Sequence, residues 1–158
     1  MFVGRKQELA TLERLYRSGA FQMPVVYGRR RVGKTSLIAE FVKGKPAIFF
    51  SARESTAKEN LVALSQAIAD LRLDGTPVAS DTAAPVFASF EEVFTHVFML
   101  AQQQRIVFVI DEFPYLAQSD RSVSSVLQHL IDRHKEGSRL FLILCGSSMS
   151  FMEHQVLG

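Results

Sequence analysis

Three short segments of the chain are apolar at every position, and this pattern constrains the fold more than any other feature. They are Ala47 to Phe50, Ile106 to Ile110, and Leu140 to Cys145. A strand with one exposed face alternates apolar and polar residues, whereas a strand covered by helices on both faces stays apolar throughout. Segments with helical spacing separate these runs. The alternation predicts a three-layer α/β domain with a mostly parallel sheet.

The segments between the strands carry their own start signals. Thr56 with Glu59, and Ser89 with Glu92, have the spacing of a capping box, so a helix is expected after Thr56 and after Ser89. Pro24 precedes a further short strand, Val25 to Tyr27. Residues 72–88 are rich in Gly, Pro and Asp and are expected to form a surface loop. A further helix is expected from about Ser119.

Size and composition indicate one globular domain in a reducing compartment. The chain has 158 residues, 47% of them hydrophobic and 22% charged, with a net charge of +2. Its single cysteine, Cys145, excludes an internal disulfide. No apolar run approaches the roughly 18 residues of a membrane helix. The start, Met1 to Arg5, lacks the layout of a signal peptide. We therefore expect a cytoplasmic protein without a membrane partner.

A glycine-rich motif follows the first strand and precedes a helix. It reads Gly28-Arg29-Arg30-Arg31-Val32-Gly33-Lys34-Thr35, with Ser36 next in the chain. In a strand-loop-helix context this spacing is typical of a phosphate-binding loop, in which backbone N–H groups surround the phosphates. Lys34 is expected to reach the β- and γ-phosphates and the Thr35 hydroxyl to bind Mg²⁺. The motif predicts that a purine nucleoside triphosphate, Mg-ATP, binds to Gly28–Ser36.

The consecutive arginines of this motif have two interpretations. Arg29, Arg30 and Arg31 could contact phosphate or a nucleic-acid backbone, or could be solvated side chains that attract anions. The second interpretation is favoured for two of the three.

Two acids follow the most apolar run. Asp111 and Glu112 come directly after Ile110, at the carboxyl end of the predicted strand. A carboxylate at this end of a parallel sheet lies beside the phosphate loop, so Asp111 is expected to hold Mg²⁺ and Glu112 to polarise the attacking water. The alternative is a pair of solvated acids that cap the next turn, with Pro114 ending the strand.

Gly146-Ser147-Ser148 ends the last strand. A hydroxyl at this position, Ser148 ahead of Ser147, is expected to sense the γ-phosphate or the attacking water. The alternative is a polar turn, or an N-cap for residues 149–155.

The histidines and phenylalanines, whose side chains can take part in catalysis or base stacking, are assigned structural roles. The histidines have no metal-ligand spacing and are expected on helix surfaces; they are His96, His129, His134 and His154. Six phenylalanines occupy positions expected in the core; they are Phe49, Phe50, Phe94, Phe98, Phe108 and Phe141.

Four segments together resemble the archaeal-type ATPases, a branch of the STAND class of signalling P-loop ATPases that is related to AAA+ proteins. In chain order they are Phe2 to Arg5, Gly28 to Ser36, Val109 to Phe113, and Leu144 to Ser148. The resemblance covers nearly the whole chain. It implies that residues 1–158 are the N-terminal portion of a P-loop ATPase domain, with Phe2 to Arg5 near the adenine and Val3 contacting the base.

The resemblance also implies a sheet with the spatial order first, fourth, third, second strand. Family members continue with a fifth core strand, a helical lid and further domains, so the core is expected to be truncated before the fifth strand. The edge of the first strand would then be unpaired, and self-association through this edge is expected. No arginine follows Arg139, and this chain alone is expected to be a weak or inactive ATPase.

The functions that remain are a nucleotide-dependent switch or motor that binds and hydrolyses Mg-ATP, and a non-hydrolysing nucleotide-binding interaction module. Glu112 favours hydrolysis in the complete protein. A GTPase is disfavoured because the guanine-reading Asn-Lys-x-Asp motif is missing, and a small-molecule kinase because such kinases usually lack a tandem Asp-Glu at this strand end. By analogy with the family, a DNA or protein partner would bind through regions outside these residues.

Overall fold

A computed structural model of the chain describes residues 5–27, 34–71 and 85–146. Within these ranges helices and strands alternate as the sequence predicts. The helices are α1 (Arg5–Arg17), α2 (Lys34–Val42), α3 (Ala57–Ala69), α4 (Phe90–Gln103), α5 (Phe113–Ser119) and α6 (Val123–His134). The strands are β1 (Val25–Tyr27), β2 (Ala47–Ser51), β3 (Ile106–Asp111) and β4 (Leu140–Gly146).

The four strands form one parallel sheet in the order β1-β4-β3-β2. This is the order that the family resemblance implies. β3 and β4 occupy the centre, and every residue in both strands is buried. Because all strands run in the same direction, their last residues lie at one edge of the sheet, which we call the carboxyl edge. The opposite edge is the amino edge.

Side chains alternate between the two faces of the sheet, and each face has its own core. On one face, Ile106, Phe108 and Ile110 of β3 pack in a cluster with α3, α4, α5 and α6. On the other face, Val107 and Val109 pack in a second cluster with α1 and α2. We call this second side the α2 face. The two cores confirm the predicted three-layer architecture.

The prediction that β2 is buried on both faces is wrong. Ile48 and Phe50 are buried in the first core, but Phe49 is 36% exposed and Ser51 is also exposed. The reason is the position of β2 at the end of the sheet. Buried α2 residues share the second core with β3 and β4, whereas of β2 only the partly buried Ala47 packs against that core. Phe49 is therefore not a core residue.

Thr56 and Ser89 are the N-caps of α3 and α4, so the N-cap hydrogen bond of each predicted capping box is present. The Thr56 hydroxyl accepts a hydrogen bond from the backbone N–H of Glu59 at 3.1 Å, and the Ser89 hydroxyl accepts one from Glu92 at 3.1 Å. The predicted start of a helix at about Ser119 is wrong, because two helices occupy this stretch. α5 contains Pro114 in its first turn, where a missing N–H costs nothing, and α6 begins at Val123.

Arg105 connects the amino edge of the sheet to the end of α1. Its half-buried guanidinium donates hydrogen bonds to five backbone carbonyls, those of Leu15, Tyr16, Ala20, Arg139 and Leu140, at 3.3, 3.2, 2.6, 2.7 and 3.4 Å. The guanidinium carbon also lies 5.2 Å from the centre of the Tyr16 ring. Burial lowers the pKa of Arg105 from its ordinary value, while the Tyr16 phenol opposes this shift. Arg105 therefore adds a charged donor to the Leu15 and Tyr16 carbonyls at the end of α1, which also accept hydrogen bonds from the N–H groups of Ser18 and Gly19.

Replacing Arg105 with alanine is expected to lower the free energy of unfolding by about 2–3 kcal/mol, because several partly buried carbonyls lose a charged donor. Arg105→Lys keeps the charge but not the fork of donors, and should recover only part of the loss. Arg139→Ala is the matched control, since its side chain is exposed and its carbonyl remains. Urea denaturation measures all three. An Arg105→Ala loss no larger than that of Arg139→Ala would contradict this role.

Candidate functional site at the carboxyl edge

Asp111 is the last residue of the central strand β3 and is only 7% exposed. Its position in the alternation matches that of Val107 and Val109, so its side chain lies on the α2 face. One carboxylate oxygen accepts a hydrogen bond from the backbone N–H of Glu112 at 3.0 Å. A nearly buried carboxylate is costly without such partners. The strand thus holds an oxygen ligand at the carboxyl edge, on the same side as the helix that follows the glycine-rich motif.

Glu112 has a left-handed backbone, with φ 53° and ψ 45°. Within the described ranges it is the one non-glycine residue with positive φ. This conformation costs a glutamate about 1–2 kcal/mol, and strain of this kind persists where surrounding contacts fix it. Phe113 and Pro114, which follow directly, are buried in α5. The sharp turn places a half-buried glutamate between the central strand and α5, and such strain is frequent at functional sites.

Helix α2 brings the end of the glycine-rich motif to this edge. Leu37, Ile38 and Phe41 of α2 share the second core with Val109 of β3 and Ile143 of β4. α2 follows β1 in the chain and returns along the sheet toward the start of β2, so its first residues lie at the carboxyl edge. A helix N-terminus favours anions, and the first turn of α2 has no acidic residue.

The structure reaches the predicted site residues only in part. Lys34 and Thr35 are the first two residues of α2, and Ser36 follows, exposed, in the same turn. Asp111 lies on the face of the sheet that α2 covers; its role as a magnesium ligand, and that of Glu112 in hydrolysis, stay predictions. The roles assigned to Val3, to Gly28 to Gly33 and to Ser148 fall outside the described residues. The alternative of a helix over residues 149–155 also falls outside them. All of these stay predictions.

The carboxyl end of β2 lies beside Asp111 and was not among the predicted site segments. Ser51 pairs with Asp111 in the β2–β3 register, and the N–H of Ala52 donates to the Asp111 carbonyl at 2.9 Å. Arg53 follows, exposed. The signal that could have identified this segment is its position: it is the polar end of an apolar strand, like Asp111 itself.

The outer edge of β1 has no partner strand among the residues that the structure describes. The carbonyls of Gln22 and Pro24 accept hydrogen bonds from β4, so by alternation the backbone groups of Val25 face outward. A groove of about 490 Å³ lies between α1 and this edge, lined by residues such as Thr11, Leu15 and Val25. Truncation of the core before a fifth strand stays a prediction. Self-association through the outer edge of β1 also stays a prediction.

The histidines in the described ranges lie on helices. His96 and His129 are exposed, and the His134 ring stacks on Phe98 with ring centres 5.5 Å apart. No group of three or more His, Cys, Asp or Glu side chains that could hold a metal occurs among the described residues. In the same ranges, no helix has the length and apolar character needed to span a membrane.

The parallel sheet, the helices on both faces and the position of α2 define the class of the domain: it has the α/β fold of P-loop NTPases. The chain belongs to a family described as an ATPase domain predominantly from Archaea, whose model matches residues 2–157.

Two relatives come from Methanocaldococcus jannaschii. An uncharacterized protein is 31% identical over 157 residues, which are 99% of this chain and 32% of that protein. An uncharacterized ATP-binding protein is 51% identical over 45 residues, which are 28% of this chain and 76% of that protein. The chain therefore spans about a third of the length of the first relative.

Among solved structures, the Walker-type ATPase of Pyrococcus abyssi matches with a TM-score of 0.68 and 20% identity, over 98% of this chain and 48% of that one. At this identity the similarity supports the fold alone.

Proposed function

We propose that the domain binds Mg-ATP at the carboxyl edge of its sheet and that the bound nucleotide is hydrolysed. The observation that carries the proposal is the position of Asp111. A nearly buried carboxylate at the end of the central strand lies on the face covered by α2, and α2 begins at Lys34-Thr35 of the glycine-rich motif. A hard cation between a phosphate and a carboxylate fits this arrangement. The family and the ATP-binding relative support the same conclusion.

The proposed roles follow from the chemistry of each residue. The backbone of Gly28 to Gly33 surrounds the phosphates, and Lys34 neutralises the β- and γ-phosphates. Thr35 binds Mg²⁺ directly, and Asp111 holds it through water. Ser36 follows in the first turn of α2, close to the phosphates. Of the three arginines Arg29 to Arg31, one contacts phosphate and two remain solvated.

For hydrolysis, Glu112 orients and polarises the attacking water. The left-handed turn at Glu112 supports this role, because it separates the direction of this side chain from that of Asp111. Ser148 senses the γ-phosphate. Among alternatives, a non-hydrolysing interaction module would bind ATP with the same residues but would not need Glu112.

The adenine lies near Phe2 to Arg5, with Val3 against the base. The course of α1 supports this assignment. Arg105 holds the last turn of α1 at the amino edge, so the first turn, at Arg5, lies toward the carboxyl edge. We further propose that the domain is the N-terminal part of a STAND-class ATPase, acting as a nucleotide-dependent switch or motor. A DNA or protein partner would then bind to regions outside residues 1–158.

Titration with Mg-ATP and Mg-GTP tests this proposal. We expect saturable binding of one Mg-ATP per chain, weaker binding of Mg-GTP, and a loss of ATP affinity when EDTA removes the metal. Isothermal titration gives the affinities, and light scattering on the same samples gives the mass and thus tests pairing through the β1 edge. Equal affinity for both nucleotides, or no binding of either, would contradict the proposed function.

A further inference from the structure

Arg53 lies two residues past the last residue of β2, at the carboxyl edge where the nucleotide is proposed to bind. Ala47 packs toward the second core and Phe49 and Ser51 are exposed, whereas Ile48, Phe50 and Ala52 are buried in the first core. The ladder to β3 continues through the N–H of Ala52, which donates to the Asp111 carbonyl. Ala52 is buried in the first core, and Arg53, the next residue, is exposed beside the strand end that carries Asp111.

A buried asparagine fixes the backbone of Arg53. Asn60 of α3 is only 1% exposed. Its side-chain oxygen accepts a hydrogen bond from the N–H of Arg53 at 3.0 Å, and its nitrogen donates to the Arg53 carbonyl at 3.1 Å. The same nitrogen donates to the Thr56 carbonyl at 3.2 Å. One amide thus satisfies both backbone groups of a single loop residue, which specifies the local conformation.

The guanidinium of Arg53 has no structural task in the described part of the chain. The side chain is exposed, and no hydrogen bond or ion pair to another described residue involves its guanidinium. A fixed backbone beneath a side chain without a partner is an arrangement suited to a ligand. Neighbouring strands are about 4.8 Å apart, and β2 is the strand next to β3. Asp111, the proposed magnesium ligand, ends β3, so a terminal phosphate bound to that magnesium would lie beside the strand end that Arg53 follows.

We propose that Arg53 contacts the γ-phosphate of ATP bound to its own chain, and that Asn60 is the positioning residue for this contact. The inference rests on the proposed function and adds a residue that distinguishes ATP from ADP. Arginine suits this task because its planar fork of donors matches phosphate oxygens. Since the contact is made to the γ-phosphate, it contributes to the binding of ATP and not to that of ADP.

The test compares affinities for Mg-ATP and Mg-ADP in wild type, Arg53→Ala, Arg53→Lys and Lys58→Ala. Lys58 is the matched control, because it is an exposed cation in the first turn of α3 near the same edge. Arg53→Ala should weaken ATP binding about 10-fold or more, the loss expected for a charged hydrogen bond, and leave ADP binding unchanged. Arg53→Lys should be intermediate, and Lys58→Ala should match wild type for both nucleotides.

Asn60→Ala should reproduce part of the Arg53→Ala effect, and thermal unfolding shows whether that variant folds. The Arg53→Ala variant is expected to fold in any case, because the Arg53 side chain is exposed. Mixing the Arg53→Ala protein with the Lys34→Ala protein tests whether the arginine comes from the chain that binds the nucleotide or from a neighbouring chain. If the arginine acts from a neighbouring chain, the Lys34→Ala copy would restore ATP affinity, and such a rescue would overturn the assignment to the same chain.

The outcomes separate the two proposals. If wild type binds neither nucleotide, the proposed function fails and this inference fails with it. If wild type binds ATP and Arg53→Ala binds it equally well, the proposed function stands and only the role of Arg53 is wrong. Equal weakening of ATP and ADP would also overturn the γ-phosphate contact.

Discussion

Replacing Lys34 with alanine is expected to abolish measurable ATP binding while the domain remains folded. Within the glycine-rich motif, Lys34 is the residue assigned to the β- and γ-phosphates, and a charged contact of this kind contributes about 1.5–3 kcal/mol or more. The fold should persist because α2 is held to the sheet by Leu37, Ile38 and Phe41, all of which are buried. Isothermal titration measures the affinity, and thermal unfolding reports the fold.

Lys43→Ala is the matched control for this experiment. Lys43 directly follows α2 at its opposite end, and its ammonium pairs with Glu40 at 2.8 Å on the surface. Exposed pairs of this kind contribute between zero and about 1 kcal/mol, so Lys43→Ala should bind ATP as wild type does. Unchanged ATP affinity in Lys34→Ala, with Lys43→Ala equally unaffected, would show that the phosphates do not bind at this motif.

The central strands of the fold were predictable because their position leaves no ambiguity in the sequence. β3 and β4 are covered on both faces, so every residue is buried, and a continuous apolar run is the pattern that such burial produces. β2 shows the same pattern in Ala47 to Phe50 but lies at the end of the sheet. Its burial depends on which strands α2 covers, and that is a tertiary property which a run of four residues does not encode.

Helix α5 was missed for a local reason. Phe113–Ser119 has seven residues, too few for helical spacing to be distinctive, and it contains Pro114. The helix begins with the left-handed residue Glu112, whose conformation is favoured for glycine and not for glutamate. Nothing in the residue type predicts this turn. The strain is visible only when the strand before it and the buried helix after it are both placed.

The candidate site also contains residues that the sequence predicts and residues that it does not. Asp111 could be placed from sequence, because a polar residue at the end of a buried parallel strand lies at the carboxyl edge. Arg53 could not, because its position depends on β2 being an edge strand and on a hydrogen-bonded amide seven residues away, at Asn60. Sequence motifs identify residues that act through spacing. Residues fixed by contacts between elements need the structure.

Changing Glu112 to glutamine is expected to preserve Mg-ATP binding and to lower the rate of ATP hydrolysis by the complete protein. A general base contributes about 10²–10⁴-fold to such a rate, and an amide cannot accept a proton from water. Asp111→Asn should instead change how ATP binding depends on magnesium. Loss of the carboxylate charge weakens the hold on Mg²⁺, so the affinity for ATP should become less dependent on magnesium concentration.

Two further variants separate the chemistry of Glu112 from its backbone strain. Glu112→Gly relieves the left-handed conformation, which glycine adopts freely, and should therefore fold at least as stably as wild type while hydrolysing ATP as slowly as Glu112→Gln. Glu54→Gln removes an exposed carboxylate near the same edge and should hydrolyse ATP at the wild-type rate. Phosphate release under saturating Mg-ATP measures each rate. If Glu112→Gln turns over as fast as wild type, Glu112 acts only as the turn before α5, and the attacking water is oriented by another group.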